Sequence, residues 1–498
     1  MKFTLPENIL LQLSEFIAAK LALNFPKERW NDLERNIVSA SNEFGYKEVE
    51  GFIYRLMSSP LTHEHIEILT AHLTNNETFF WREHETFNVL EQKILPELIT
   101  LRQDEKRIRI WSAGCSTGEE PYSIAIALSK LIPNISEWNI TILATDISPR
   151  ILRKATAGLY SQWSFRNTPE WLKENYCMPK ENNKFELIPA IKSMVKFEYL
   201  NLADDVFPSP LNNTNAMDVI FCRNVLMYFT HDRFRQVTRG LYNSLIQGGY
   251  LVVSASELSL QNFTEFTPIN VPGMVIYQKT SKKIKDRHKI TFVEPPPEPV
   301  PFQLPQKPDH PIEWIKFKPY EIEKEIPDSE NISKQIVPIY EETLKSFSQG
   351  NYEDVIDNLQ TDHQNVEAQI LLIRALANKG DLIEALKTCE ETIAKNKLDP
   401  RLHYLYATIL QENNQLTEAV ASLKCAIYLD TNFVLSYYSL GKIYQRLGDL
   451  KNAKKSFAIV LSILNKCEGE EILFESEGLT AGRFKEIINA TIQTRELL

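Results

Sequence analysis

No two of the six cysteines form a C-x-x-C pair; they lie scattered as Cys115, Cys177, Cys222, Cys389, Cys425 and Cys467. That scatter suggests neither a structural zinc site nor a disulfide framework, so no metal is expected and a reducing cytoplasm is the expected compartment. No apolar run is long enough to span a membrane. The start, MKFTLPENILLQLSEFIAAKLAL, is amphipathic and carries acids, unlike a signal peptide. Positive charge is also in deficit: 55 Lys and Arg stand against 65 Asp and Glu, a net charge of −10. Phosphate binding needs a basic face, so nucleic acid is not an expected partner.

What is present divides by pattern. A chain of 498 residues exceeds one ordinary core, so two or three domains are expected. Residues 1–75 read as short amphipathic helices, with Ile9, Leu10, Leu13, Phe16, Ile17 and Leu21 at helical spacing and further helices near 30–44, 49–58 and 63–73. Over 76–280 strand-like runs alternate with helices: RIRIWSA, NITILATD, MDVIFCR, GYLVVSAS and GMVIYQKT, with helices at 121–131, 149–157 and 231–246. Such alternation predicts an α/β domain with a mostly parallel sheet. The stretch KFELIPAIKSMVKFEYLNL interrupts it and reads as a small β excursion, about 176–199. Residues 281–335 read as a linker, because EPPPEPVPFQLPQKPDHP holds eight prolines, a density that allows neither helix nor inner strand. From 336 to 498 the chain is helical and repetitive: Ala385, Ala419 and Ala453 recur every 34 residues in matching contexts. Leu440, Gly441, Tyr444, Gly448, Ala453 and Phe457 fit the tetratricopeptide pattern, with LTAGRFKEIINATIQTREL as a capping helix. With the linker between them, these repeats are expected to take no part in chemistry and to bind a protein partner of unknown identity.

The chemistry-bearing stretch is IRIWSAGCSTGEEPYS, a strand, a small-residue turn and a helix start. Turns of this kind cradle phosphates. This one departs from a strict G-x-G-x-x-G: after Gly114 it carries Glu119 and Glu120 where a phosphate would sit. A ligand both nucleoside-like and cationic suits that combination. Asp146, ending ATD, lies 32 residues after Gly114 and reads either as a ribose acceptor or as a helix cap, a task Ser148 could also perform. A nucleoside without phosphate beside carboxylates points to S-adenosylmethionine. Arg82, in NNETFFWREHETF, is a candidate for its carboxylate, or else a surface residue stacked on the neighbouring aromatics. Arg223 and Asn224 fall at a strand's carboxyl end, and Tyr228 lies one helical turn beyond.

NETFFWREHETF, WSAGCSTGEEPYSIAI, ATDIS with AGLY, FEYLNL and VIFCRNVLMYF, in that order, resemble the chemotaxis receptor glutamate methyltransferases, the CheR family. The resemblance covers roughly 1–280, and the repeats resemble those of the subgroup with tetratricopeptide C-terminal domains. It implies a multidomain protein: an N-terminal α-helical domain, a Rossmann-like α/β methyltransferase domain with a small β subdomain, and a C-terminal α-helical tetratricopeptide solenoid. By motif, it places Asn76, Thr78 and Arg82 at the methionine end of S-adenosylmethionine, with Gly114 and Glu120 beside the cofactor. Asp146 would bind its ribose, Asn201 and Leu202 would flank the adenine, Arg223 and Asn224 would close the site, and Tyr228 would lie near the methyl group. Arg223 or Tyr228 would orient the substrate carboxylate. The implied reaction is methyl-ester formation on glutamates of a methyl-accepting chemotaxis-type receptor. The readings that compete with it are a methyltransferase on another substrate class and a non-catalytic tetratricopeptide scaffold. One departure from the family is plain: CMPKENNKFEL has no glycine-rich loop for docking on a receptor's C-terminal peptide.

Overall fold

The computed structural model describes residues 5–21, 23–59, 61, 63–74, 77–258, 263–280, 333–360, 365–476 and 478–494. Of the stretch read as a linker, residues 281–332 lie outside this set. At the N-terminus stand α1 (Glu7–Leu21), α2 (Trp30–Glu43), α3 (Val49–Ser58) and α4 (His63–Leu73). The buried residues of α1, Leu10, Leu13, Ile17 and Leu21, recur every three or four positions and share a core with Leu33, Ile37, Phe52, Ile53 and Leu69. Each such side chain contributes about 1.5–3 kcal/mol by leaving water.

The α/β region follows. Helices α5 (His84–Val89) and α6 (Leu95–Leu101) lead into β1 (Arg107–Ala113), α7 (Glu119–Leu131), β2 (Asn139–Asp146) and α8 (Pro149–Ala157). Next come β3 (Leu159–Ser161), α9 (Glu170–Tyr176), β4 (Cys177–Lys180), β5 (Lys184–Leu187), α10 (Pro189–Met194) and β6 (Val195–Tyr199). The region closes with β7 (Met217–Phe221), α11 (His231–Ser244), β8 (Leu245–Val252), β9 (Thr267–Val271) and β10 (Met274–Gln278). Seven strands form one sheet in the order β6-β2-β1-β7-β8-β10-β9, parallel from β6 to β8 and antiparallel at β10 and β9. Every residue of β1 is buried, as a parallel strand covered on both faces requires. The chain leaves β1 toward β2 and returns to its other side as β7, which opens a crevice at the strands' carboxyl ends.

The small β excursion differs from its sequence reading. Its three strands, ordered β3-β5-β4, span 159–187, and β6 instead pairs with β2 at the edge of the large sheet. Local pattern marked the stretch from Lys184 to Tyr199 as β but not which sheet each strand joins, nor that Leu159–Ser161 is a strand, since that depends on the partner's exposed edge.

The repeats run α12 (Ser333–Ser348), α13 (Tyr352–Leu359), α14 (Val366–Lys379), α15 (Leu382–Lys395), α16 (Pro400–Glu412), α17 (Leu416–Leu429), α18 (Val434–Arg446) and α19 (Leu450–Leu464), then α20 (Ala481–Thr494). Ala385, Ala419 and Ala453 are fully buried where paired helices meet. Gly441 is needed for the same reason: a Cβ there would stand 2.9 Å from the Phe457 ring.

The repeats pack directly on the α/β region. Residues 200–216, between β6 and β7, form turns and no helix, which leaves one face of the sheet without its own cover. Repeat helices fill the place: Arg107 of β1 ion-pairs Glu412 of α16 at 3.3 Å, and Lys442 of α18 ion-pairs Glu198 of β6 at 2.6 Å. Helix α20 lies along α8 and edge strand β6.

Candidate functional site

The turn after β1 is held against the end of β2. Gly114 adopts φ +79°, its amide donates to the Thr145 carbonyl at 2.8 Å, and a Cβ there would come within 2.4 Å of Val225. Only glycine fits so close an approach between the loops following β1 and β7. Asp146 closes the turn: its Oδ2 accepts the Ser116 amide and its Oδ1 the Ser148 amide, each at 3.0 Å. Burial pushes the Asp146 carboxyl upward, against the pull of those amides. The Ser148 side chain does not cap α8.

The two adjacent carboxylates diverge. Glu119 is buried, accepts from Thr117 Oγ1 at 2.6 Å and is pushed up by desolvation. Glu120 faces the strand ends, accepting Ser112 Oγ at 2.7 Å and Arg223 Nη1 at 2.9 Å. The Arg223 side chain, only 2% exposed, also reaches Glu83 at 3.1 Å and the Arg82 carbonyl at 2.7 Å. One guanidinium thus joins the end of β7, the start of α7 and the segment before α5.

Arg82 is half-buried; its Nη1 donates to the Glu77 carbonyl at 2.6 Å and its guanidinium lies 6.0 Å from the Phe79 ring. The Thr78 carbonyl accepts from Arg166 at 3.5 Å. Asn76 lies outside the described residues. Asn201 follows β6: its amide donates to Asp205 Oδ2 at 2.6 Å and its side chain to Asp204 at 2.8 Å. Leu202 is buried in the core beneath. The Asp205 carboxylate is shared with the repeats, since its Oδ1 accepts Arg483 Nε of α20 at 2.8 Å while Arg483 Nη2 donates to the Tyr199 hydroxyl at 3.2 Å.

Tyr228 does not follow Asn224 on a helix. Asn224 has φ +59°, which breaks any such turn, and only Leu226–Tyr228 form a 3-10 turn. The Tyr228 ring packs on the N-terminal core with the Arg29 guanidinium 5.4 Å above it, and its carbonyl accepts the Asn24 amide at 2.6 Å. Its hydroxyl makes no hydrogen bond among the described residues.

Sequence reasoning missed Glu257 and Glu83. Buried Glu257 accepts the Asn224 and Val225 amides, each at 2.8 Å, and so holds the left-handed turn after β7. Its signal was the capping box in SASE, Ser254 to Glu257.

Acids therefore line the carboxyl end of the sheet: Glu83 and Glu120 pair with Arg223, and Asp146 is held by backbone amides. Ser148 Oγ and Arg223 Nε are buried there without partners among the described residues. A ligand carrying hydroxyls, a cation and acceptors fits this donor set, whereas a polyphosphate meets like charge.

Comparison with known proteins agrees with that chemistry. The model described as CheR methyltransferase, SAM binding domain matches residues 76–275. Two tetratricopeptide models match residues 407–448 and 434–463. A chemotaxis protein methyltransferase of Borreliella burgdorferi is 34% identical over 263 residues, 51% of this chain and 91% of that protein. Chemotaxis protein methyltransferase 1 of Pseudomonas aeruginosa is 37% identical over 196 residues, 38% of this chain and 69% of that protein. Among solved structures, MamA from Desulfovibrio magneticus matches 27% of this chain and 79% of its own at 19% identity, with a TM-score of 0.26. A relative matched at such identity across nearly its whole length, over the segment that builds the acid-lined crevice, makes this chain a member of the chemotaxis protein methyltransferase (CheR) family, extended by tetratricopeptide repeats.

Proposed function

We propose that the protein methylates glutamate side chains of a chemoreceptor-like protein in the cytoplasm, using S-adenosylmethionine and leaving methyl esters. The observation that carries this reading is the crevice at the carboxyl ends of β1, β2 and β7, where Asp146 and Glu120 stand in place of a phosphate cradle. When bound, S-adenosylmethionine supplies an electrophilic methyl group. Asp146 accepts the ribose hydroxyls, and Glu120 attracts the α-ammonium. Arg82, with Thr78 and Asn76, takes the α-carboxylate, and Asn201 and Leu202 flank the adenine. Gly114 leaves room at the turn, and Arg223 and Asn224 close the site.

A glutamate carboxylate with a pKa near 4.3 is already ionised at neutral pH, so no general base is needed. Catalysis then rests on holding nucleophile and methyl in line and excluding water. Arg223 or Tyr228 orients the incoming carboxylate, and a surface groove lined by Asn24, Met227, Phe229 and His231 offers a path from the N-terminal helices. We assign this chemistry to residues 76–280 and the binding of a protein partner to 336–498. The test is incubation with methyl-labelled cofactor and host membranes. Label on a receptor protein, released by mild alkali, is expected; alkali-stable label, or label on nucleic acid, would sink the reading.

A further inference from the structure

The seam between repeats and sheet encloses a cleft that the methylation chemistry does not use. Its walls include Arg109 of β1, Lys196 and Glu198 of β6, Glu412 of α16, and Lys442 and Arg446 of α18. Both carboxylates are engaged: Glu412 by Arg107 and by Asn215 at 2.7 Å, Glu198 by Lys442. Arg109, 1% exposed, donates one terminal nitrogen to neutral oxygens of Asn213 and Asn215, its other terminal nitrogen lies 3.9 Å from the Glu412 carboxylate that Arg107 also holds, and its Nε is buried without a partner among the described residues. Arg446 donates to the neutral Asn414 side chain at 3.1 Å. The Lys196 ammonium has no acceptor among the described residues.

Lys196 is half-buried, and Glu198, the carboxylate that acts on it, is already ion-paired to Lys442; a partly desolvated cation so placed is relieved by neutralisation or by an anion. Burial, then Arg446 and Arg109, press Lys196 down to about 7. A sheet face built only for stability would carry an apolar side chain at this position. The cleft has an internal volume of about 70 Å³. At ~10–15 Å³ per water that is space for about five to seven waters, or one tetrahedral anionic group in their place. Guanidinium and ammonium groups converging from two walls suit phosphate, whose oxygens accept in several directions, better than a planar carboxylate.

We propose that this cleft is a binding site for a phosphate-bearing small molecule, gripped by Arg109 and Lys196 on the sheet and by Lys442 and Arg446 on the repeats. Because each domain supplies half of the cations, the bound anion ties the repeats to the catalytic domain and stabilises the docked arrangement by mass action.

The test uses the full chain, with pyrophosphate and orthophosphate as probes against chloride at equal ionic strength. Calorimetry and melting temperature are the readouts, and the two probes separate free phosphate from a larger phosphorylated ligand. Pyrophosphate is expected to bind and to raise the melting temperature. Lys196→Gln, and independently Arg446→Gln at the mouth of the cleft, should each weaken it about tenfold, or ~1.4 kcal/mol. Without phosphate, Lys196→Met should melt at or above wild type. The site is refuted if neither probe outdoes chloride, if both Gln variants bind pyrophosphate like wild type, or if Lys196→Met melts below it.

Discussion

The carboxyl edge of the large sheet and the face that the repeats cover carry opposite electrostatics. At the carboxyl ends of the strands, Glu83 and Glu120 share one guanidinium, Arg223, and Asp146 leans on backbone amides alone. On the face that the repeats cover, Arg107, Arg109 and Lys196 outnumber Glu198, and the repeats bring Glu412 in compensation together with two further cations, Lys442 and Arg446. Both regions belong to the parallel part of one sheet. The contrast teaches that strand topology supplies only places, and that side-chain charge decides whether a place takes a cation or an anion.

The largest expected effect breaks the acidic end. Arg223→Met leaves Glu120 and Glu83 without their cation, and removing one partner of a buried pair costs about 3–5 kcal/mol. Urea unfolding measures it; a loss below ~1 kcal/mol would mean that Arg223 is not the clamp. Next comes Asp146→Ala, which removes charged acceptors while the turn keeps Gly114 in place. Affinity for S-adenosylhomocysteine should fall by about 1.5–3 kcal/mol, roughly 10- to 150-fold, with the fold retained. Unchanged affinity by calorimetry removes Asp146 from the site.

The basic face is probed by pH. Lys196 is held near 7 against an ordinary 10.5, facing Arg109, Glu198, Glu412, Lys442 and Arg446. Between those values the unfolded chain binds more protons than the folded one, so this group makes stability rise with pH there, by at most about 1.4 kcal/mol per unit. Below pH 7 its penalty is fully present. Lys196→Met should flatten that rise; an unchanged slope between pH 7 and 10 contradicts the burial. The smallest effect joins the repeats to the carboxyl edge. Arg483→Gln loosens Asp205, which fixes the Asn201 amide, and should weaken S-adenosylhomocysteine by about 0.5–1 kcal/mol. Arg483→Lys should recover part of it. No change in the Gln variant, where Asn201→Ala does weaken binding, would uncouple the repeats from the cofactor loop.

Much was legible because it is local. The helix 149–157, the strand RIRIWSA and the 34-residue alanine spacing follow from side-chain period, and the structure has them at those positions. Arg223 and Asn224 were readable as strand-end residues for the same reason. The chain between Asn224 and Tyr228 was misread as a helical turn because helical spacing was extended through Asn224, whose left-handed backbone is held by a carboxylate 33 residues away. Glu257 was readable in principle from its capping box, yet its hold on Asn224 was not.

By itself, then, the sequence determined the elements, their order and the family's motifs, since period, turn residues and motif spacing act over a few residues at a time. Tertiary structure alone decided that β6 joins the large sheet and that the helix-free stretch 200–216 leaves a face for the repeats. It also brought Arg107 to Glu412 across 305 positions of chain. Such pairings depend on which surfaces remain uncovered once the local elements have formed, and no window of sequence contains both partners.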